Sequence, residues 1–419
     1  MIRRLDIGVV AKVLSDVLRG YTGQRLLTAC LVFASALLAA WVLGPALYGQ
    51  VFLVMFIAKL LLLGNLGSIS GYMHSFYDAK KTPLSSDAFV LSYGLHLLSF
   101  SAVAIALGFF IDKVYFLGAI CFSLLLPFFL VEPVLRVKRM FYISLLPDWA
   151  LNLSLLMGLF YYYLYGSPDS DFEGFISPFL FALGFFSFSF LLWINWRWGL
   201  VRRLALARPM FSYVDLVKIG LPLFAGTAAF SLFLFVDRFF LERYHSAESL
   251  GIYMLAFQLA TGATLILTSL NFTAGVDYGE LIKKNKPFGV FVARRSRQAL
   301  FVSAVSMLLL LIGVFVLQQY FFQEYHGLTL STLFLGVGLC GFYTAGSITP
   351  VAFYLNKQKV LMVAMFVVVI FAVSGNLYVV SSGLDYIWIS ALSGFWLSCY
   401  SFFAIQYVFR LDNSRVISL

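Results

Sequence analysis

The stretch Arg25–Gly71 constrains the fold most strongly, because it holds two long apolar runs separated by a short break. The runs Leu26–Val42 and Gln50–Gly71 are each long enough to cross a hydrocarbon core of about 30 Å at about 1.5 Å per residue. Gly44-Pro45 interrupts the helix between them, because proline lacks a backbone N–H and glycine loosens the backbone. The stretch therefore predicts two transmembrane helices joined by an elbow.

The composition extends this conclusion to the whole chain. Hydrophobic residues make up 62% of the sequence and charged residues only 11%. A soluble domain cannot bury that much apolar surface, so the chain is predicted to be a polytopic membrane protein. The four cysteines and four histidines are scattered, without paired spacing or a ligand motif. No disulfide framework, metal site or other cofactor is therefore predicted.

The apolar runs predict about twelve transmembrane helices and hence an all-α fold. Ten runs follow the first two, roughly Phe89–Ile111, Val114–Pro133, Tyr142–Tyr165, Phe175–Trp196, Leu221–Leu241, Leu250–Phe272, Leu300–Phe322, Leu328–Tyr354, Val360–Val380 and Ile387–Phe409. The region 326–356 also permits a different division into helices.

The chain is predicted to consist of two similar halves. A second elbow, Phe239–Tyr253, separates the seventh and eighth runs, and basic connections recur after the fourth and tenth runs. Six helices per half give both halves the same orientation, which is a parallel repeat with a pseudo-two-fold axis along the membrane normal. The predicted segments are an amphipathic cytoplasmic surface helix at 1–24, a six-helix bundle at 25–198, a cytoplasmic linker at 199–219 and a second six-helix bundle at 220–419.

The basic residues predict the orientation in the membrane. Of the 29 lysines and arginines, 25 fall on one side of the predicted helices, and the opposite connections are neutral or acidic. By the positive-inside rule, both termini are cytoplasmic. The net charge of +10 is therefore topological. No nucleic-acid-binding motif accompanies it, so nucleic acid is not an expected partner.

Several short motifs carry a family resemblance. They are Leu43-Gly44-Pro45 with Tyr48-Gly49, Leu63-Gly64-Asn65-Leu66-Gly67, Asp237-Arg238 with Leu250-Gly251-Ile252-Tyr253-Met254-Leu255-Ala256, and Asn376-Leu377 with Gly383. Together they resemble the polysaccharide-export flippases, of the superfamily that also holds multidrug and toxin extrusion exporters and lipid II flippases. The small-residue run usual after the last motif is replaced here by Asp385-Tyr386-Ile387-Trp388.

The resemblance implies a fold and a substrate. The implied fold is a V-shaped pair of six-helix bundles around a central cavity. The implied substrate is an undecaprenyl-pyrophosphate-linked oligosaccharide, moved by alternating access from the cytoplasmic to the outer leaflet of a bacterial inner membrane for surface polysaccharide such as O-antigen. The implied partners are this lipid-linked oligosaccharide, the bilayer and, further, other membrane proteins of polysaccharide assembly.

Lys59 is the leading candidate for contact with the substrate. It lies within the apolar sequence Phe56–Leu62, about 13 Å from the outer end of the second helix at about 1.5 Å per residue. That depth is large for a lysine that reaches the interface by snorkelling. The alternative is a structural lysine paired with a carbonyl or carboxylate inside the bundle.

Five other charged residues are weaker candidates. Asp237 and Arg238 belong to the substrate cavity or anchor the outer interface, and Arg25 meets the diphosphate or only marks topology. Glu132 and Asp148 are candidates for ion coupling, the alternative being structural pairing with Arg136 or Arg139.

Two other functions compete with the flippase. An ion-coupled small-molecule exporter of the same superfamily would have the same topology with a smaller cavity. A membrane polysaccharide polymerase would need polar catalytic loops, but the longest outer connection, about Gly166–Gly174, is short. No DxD-type site or nucleophile constellation occurs, so an enzyme is not predicted.

Overall fold

The computed structural model describes residues 21–77, 85–137, 145–165, 172–208, 213–264, 267, 271, 278, 281, 288–355 and 357–416. These residues are helical, with no β-strand among them, which confirms the predicted all-α class. The helices are numbered here in chain order: α1 Tyr21–Leu61, α2 Ser68–Tyr77, α3 Ser86–Ile111, α4 Lys113–Val137, α5 Leu146–Tyr165, α6 Phe172–Trp198, α7 Leu200–Leu206, α8 Tyr213–Tyr244, α9 Ala247–Ala263, α10 Gly289–Tyr320, α11 Leu328–Gly346, α12 Pro350–Tyr354, α13 Gln358–Ser381 and α14 Ile387–Val416. The surface helix predicted at 1–24 lies almost wholly outside the described residues.

The described helices accommodate the predicted membrane spans. Nine candidates among them are long and apolar enough to cross a bilayer, so the protein is a multi-pass membrane protein. One of the nine, Leu27–Asn65, has 39 residues and is long enough for two crossings. The shorter helices α5, with 20 residues, and α9, with 17, overlap the remaining two predicted spans and are not among the nine candidates.

The predicted elbow is present in α1. Gly44 has φ 67° and ψ 170°, a conformation that favours glycine because a Cβ would clash there. Pro45 follows and can begin the next helical segment, where an N–H would lack a partner in any case. A second break follows α1, where Leu66 has φ 49° and the Asn65 side chain accepts a hydrogen bond from the Gly67 N–H at 2.8 Å. Both breaks fall within motifs that carry the family resemblance.

The helices form two compact units that do not follow chain order. Unit 1 comprises Met1–Leu38 and Ile57–Gly220, and unit 2 comprises Ala39–Phe56 and Leu221–Leu419. The elbow of α1 therefore packs within unit 2, although the chain before and after it belongs to unit 1.

Unit 1 is built on helix pairs and on close backbone contact. Helix α3 packs along α4, α5 along α6, and α4 along α6. A Cβ added to Gly71 would lie 1.8 Å from the Leu216 carbonyl oxygen, and one added to Gly220 would lie 1.8 Å from the Gly67 carbonyl oxygen. Helix α2 and the start of α8 therefore touch backbone to backbone, as small residues allow between membrane helices.

Unit 2 is centred on α11, which packs against α9, α10 and α14. The elbow docks on this unit through glycine, since a Cβ on Gly251 would lie 1.7 Å from the Pro45 carbonyl oxygen. The Tyr325 hydroxyl also donates a hydrogen bond to the Ala40 carbonyl oxygen at 2.8 Å. Burial raises the pKa of Tyr325, and the nearby Glu324 adds to the rise, so this hydroxyl remains a donor at neutral pH.

Candidate functional site

An ion pair forms the first charged centre, within unit 1. The Lys59 ammonium donates a hydrogen bond to the Asp148 carboxylate at 2.8 Å. Asp148 lies in the first turn of α5, where the helix dipole favours a negative charge. The side chains of Lys59 and Asp148 are 51% and 39% exposed. Because exposure of charge to hydrocarbon is costly, the pair must face a hydrated surface rather than lipid tails.

Polar contacts between α1 and α5 hold this aspartate in place. Ser35 donates a hydrogen bond to the Asn152 side-chain oxygen at 2.6 Å, and the Asn152 amide donates to the Asp148 backbone carbonyl at 2.7 Å. The Trp149 indole N–H donates to the Thr28 hydroxyl at 2.7 Å. The first turn of α5 is thereby fixed against the first half of α1. Lys59 retains N–H donors beyond the one that Asp148 accepts, because an ammonium carries three.

A buried aspartate forms the second charged centre, within unit 2. Asp237 is 0% exposed. Its carboxylate accepts hydrogen bonds from the Tyr253 hydroxyl at 2.7 Å, from the Asn376 amide at 2.9 Å and from the Ser393 hydroxyl. These donors come from α9, α13 and α14, so one carboxylate on α8 joins four helices. Three donors compensate much of the cost of removing the charge from water.

Arg238 is held beside this carboxylate by aromatic rings. It is 1% exposed, and its guanidinium lies 4.0 Å from the Phe56 ring centroid and 4.3 Å from that of Phe257. It also donates a hydrogen bond to the Leu234 carbonyl oxygen at 2.5 Å. Arginine suits such a site, because its weakly hydrated, planar cation stacks on aromatic faces. Phe56 is the last residue of the α1 segment Ala39–Phe56 that belongs to unit 2, so Arg238 ties that segment to α8.

The structure places the remaining predicted residues as follows. Asp148 pairs with Lys59. The side chains of Arg136 and Arg139, the alternative partners, lie outside the described part. Asp237 and Arg238 are both buried, and their assignment to the substrate cavity or to an outer-interface anchor stays a prediction. Glu132 is buried in α4 and engaged in an interaction. Arg25 lies in α1, but its side chain is outside the described part.

Sequence reasoning missed the partners of these charges. Asn152, Tyr253, Asn376 and Ser393 lie within apolar helices, where a polar side chain needs a partner. That requirement is the signal that could have selected them, although it does not say with what they pair. Within the described residues, no group of three or more histidine, cysteine, aspartate or glutamate side chains could hold a metal ion.

The comparisons with known proteins identify a fold. No family model and no curated protein matches the chain. Among solved structures, the lipid II flippase MurJ in an inward closed conformation aligns with a TM-score of 0.71 at 14% identity, covering 92% of this chain and 87% of that one.

Two further solved structures have the same fold. An outward-facing multidrug resistance MATE family transporter of the MOP superfamily aligns at TM-score 0.56 and 14% identity, covering 96% of this chain and 97% of that one. A MOP superfamily transporter from Pyrococcus furiosus Vc1 aligns at TM-score 0.56 and 15% identity, covering 95% and 97%. The chain therefore shares the fold of these three solved structures.

Proposed function

We propose that this chain is a flippase for a polyprenyl-pyrophosphate-linked oligosaccharide, with undecaprenyl pyrophosphate as the carrier, working by alternating access for surface polysaccharide assembly. The fold shared with a lipid II flippase supports this choice, because the structure named for that lipid-linked substrate aligns at the higher TM-score, 0.71 against 0.56 for the multidrug transporter. The single observation that carries the proposal is Lys59, a half-exposed cation in the last turn of the apolar helix α1.

The chemistry of such a substrate explains why that cation matters. A sugar chain and a diphosphate are both too polar to cross hydrocarbon unaided, whereas the polyprenyl tail is stable there. The protein therefore has to offer a hydrated, positively charged surface to the headgroup while the tail stays in the bilayer. Lys59 meets this need, since its ammonium is accessible and keeps N–H donors free of Asp148.

The second centre has a different role in this proposal. Asp237 and Arg238 are enclosed by unit 2 in this conformation, so they have no surface with which to contact a headgroup. They act instead as positioning residues. Asp237 joins α8, α9, α13 and α14. Arg238 holds the α1 segment that contains the elbow, through the ring of Phe56.

The buried Asp237 also supports a second candidate, an ion-coupled exporter of small molecules. A carboxylate that links four helices would couple their arrangement to the binding of a cation or proton. The substrate separates the two candidates. A drug-type exporter would lower the accumulation of cationic dyes and would not move a lipid-linked glycan.

The test is transport by the purified full-length protein in liposomes. A fluorescent polyprenyl-pyrophosphate-linked oligosaccharide is placed in both leaflets, and the fraction accessible to an external glycosidase is followed over time. Protein-dependent gain of accessibility is expected, with no dye movement in parallel vesicles. In cells, deletion of the gene should leave lipid-linked glycan on the cytoplasmic leaflet. Dye transport without glycan movement would replace the flippase assignment with the exporter.

A further inference from the structure

A second binding feature lies within unit 2, separate from the Asp237 centre. It is a cavity of 340 Å³ whose walls come from α8, α11, α13, α14 and the turn before α12. The cavity sits where α11 ends and α13 begins, and its lining residue Gln358 lies between Lys357 and Lys359 in the sequence. By the distribution of basic residues this end of the unit is predicted to be cytoplasmic.

One wall of the cavity is aromatic. Phe230 and Phe342 are stacked, with ring centroids 4.1 Å apart and planes at 7°. Tyr400 continues the wall, its centroid 5.7 Å from that of Phe342. Aromatic faces bind flat, weakly polar surfaces such as the C–H face of a sugar ring.

The rest of the lining combines the apolar side chains of Leu361, Met362 and Met365 with uncharged hydrogen-bonding groups. Thr227, Thr349 and Gln358 lie on the cavity, and none of the described lining residues is acidic or basic. The Gln358 side-chain oxygen is buried and has no hydrogen-bond partner among the described residues. An unpaired buried acceptor is unfavourable, and a ligand hydroxyl would satisfy it.

We propose that this cavity binds one sugar unit of the substrate, a neutral pyranose that carries hydroxyl groups. Resting on the flippase function proposed above, this assigns the glycan and the diphosphate to different surfaces. The aromatic wall matches the apolar face of a pyranose, and the threonine hydroxyls and Gln358 match its rim of hydroxyl groups. The lack of charge argues against the diphosphate, and 340 Å³ falls in the range typical of small-ligand sites.

Gly226 allows the cavity to be filled without disturbing the unit. A Cβ added at Gly226, on α8, would meet no atom within 4 Å. Gly226→Leu would therefore extend into the cavity, and a leucine in a helix interior is more favourable than a glycine. Gly313 on α10 has the same open surroundings and does not line the cavity, so Gly313→Leu is the matched control.

The experiment measures ligand protection of a thiol. In the full-length protein with its four cysteines replaced by alanine, Met362→Cys, at a lining residue with no proposed contact to the sugar hydroxyls, is labelled by a water-soluble maleimide. Labelling is repeated with a neutral disaccharide (chitobiose, maltose or lactose), with sorbitol at equal osmolality, and with the C10 isoprenoid alcohol geraniol. At a disaccharide concentration about ten times its dissociation constant, labelling should slow about tenfold. Gly226→Leu should abolish this protection and Gly313→Leu should retain it.

Each outcome decides the proposal. It is overturned if Met362→Cys is not labelled without ligand, if the disaccharide gives no protection, if geraniol alone protects, if sorbitol protects equally, or if Gly226→Leu leaves the protection unchanged. Binding is measured without transport, so the proposed function is judged separately. Disaccharide protection with no glycan movement in liposomes would reject the flippase and keep the sugar site. Glycan movement that is unaffected by Gly226→Leu, together with no protection by the disaccharide, would reject the sugar site and keep the flippase.

Discussion

Replacing Lys59 tests the flippase proposal at its central residue. The ion pair with Asp148 is about half exposed, and such pairs contribute only about 0.2–1 kcal/mol to stability. Lys59→Ala should therefore lower the melting temperature by no more than about 4 °C and leave the amount of protein in the membrane unchanged. A large loss of protein would indicate a structural pair instead.

The effect on transport should be much larger than the effect on stability. A hydrogen bond to a charged group contributes about 1.5–3 kcal/mol. If Lys59 makes such a bond to the diphosphate in the rate-limiting step of transport, Lys59→Ala should slow transport by about 10- to 150-fold. Lys59→Arg should retain most of the rate, because it keeps the charge. Lys59→Glu should be slowest, since it places a second negative charge beside Asp148 and repels the substrate.

The assay is glycan movement in liposomes, with rates normalised to the amount of folded protein. Asp148→Asn is the matched control, because it removes the partner that competes with the diphosphate for Lys59. Its transport rate should equal or exceed that of the unmodified protein. Normal abundance together with normal transport in Lys59→Ala would refute the role of Lys59. Low abundance of Lys59→Ala that is restored by adding Asp148→Ala would show a purely structural pair.

Three further predictions concern the buried centre, the elbow and the topology. Arg238→Ala should lower the free energy of unfolding by about 3–5 kcal/mol, because it removes a buried cation whose partners remain. Thermal unfolding in detergent measures this loss, and an unchanged melting temperature would contradict it. Gly251→Leu should lower the melting temperature more than Gly313→Leu does, since only Gly251 lies against the Pro45 carbonyl; equal shifts would show that this contact is unimportant. Reporter fusions at Ser170 and Lys283 should report opposite sides of the membrane; the same side for both would disprove the predicted orientation.

Most of the helices and the break at Gly44-Pro45 could be predicted from the sequence, whereas the break at Leu66 inside the run predicted as the second span could not. In hydrocarbon each helix has to satisfy its backbone hydrogen bonds internally, so the length of an apolar run is enough to predict a spanning helix. The break in α1 was equally local, because Gly44 and Pro45 act through their own backbone geometry. The position of Lys59 within an apolar run also marked it as a candidate, because a charge is costly in hydrocarbon.

The contacts between charged and polar side chains could not be predicted from the sequence, because they depend on how distant segments pack. Lys59 and Asp148 are 89 residues apart in sequence, and Asp237 is 139 residues from Asn376. The elbow packs in unit 2, although both of its flanking segments belong to unit 1. Membrane helices associate through small residues, shape and polar contacts, because the lipid is as apolar as the helices themselves. An apolar run therefore predicts that a helix exists. The segment against which that helix packs depends on close contacts at its surface, such as that of Gly251 with the Pro45 carbonyl.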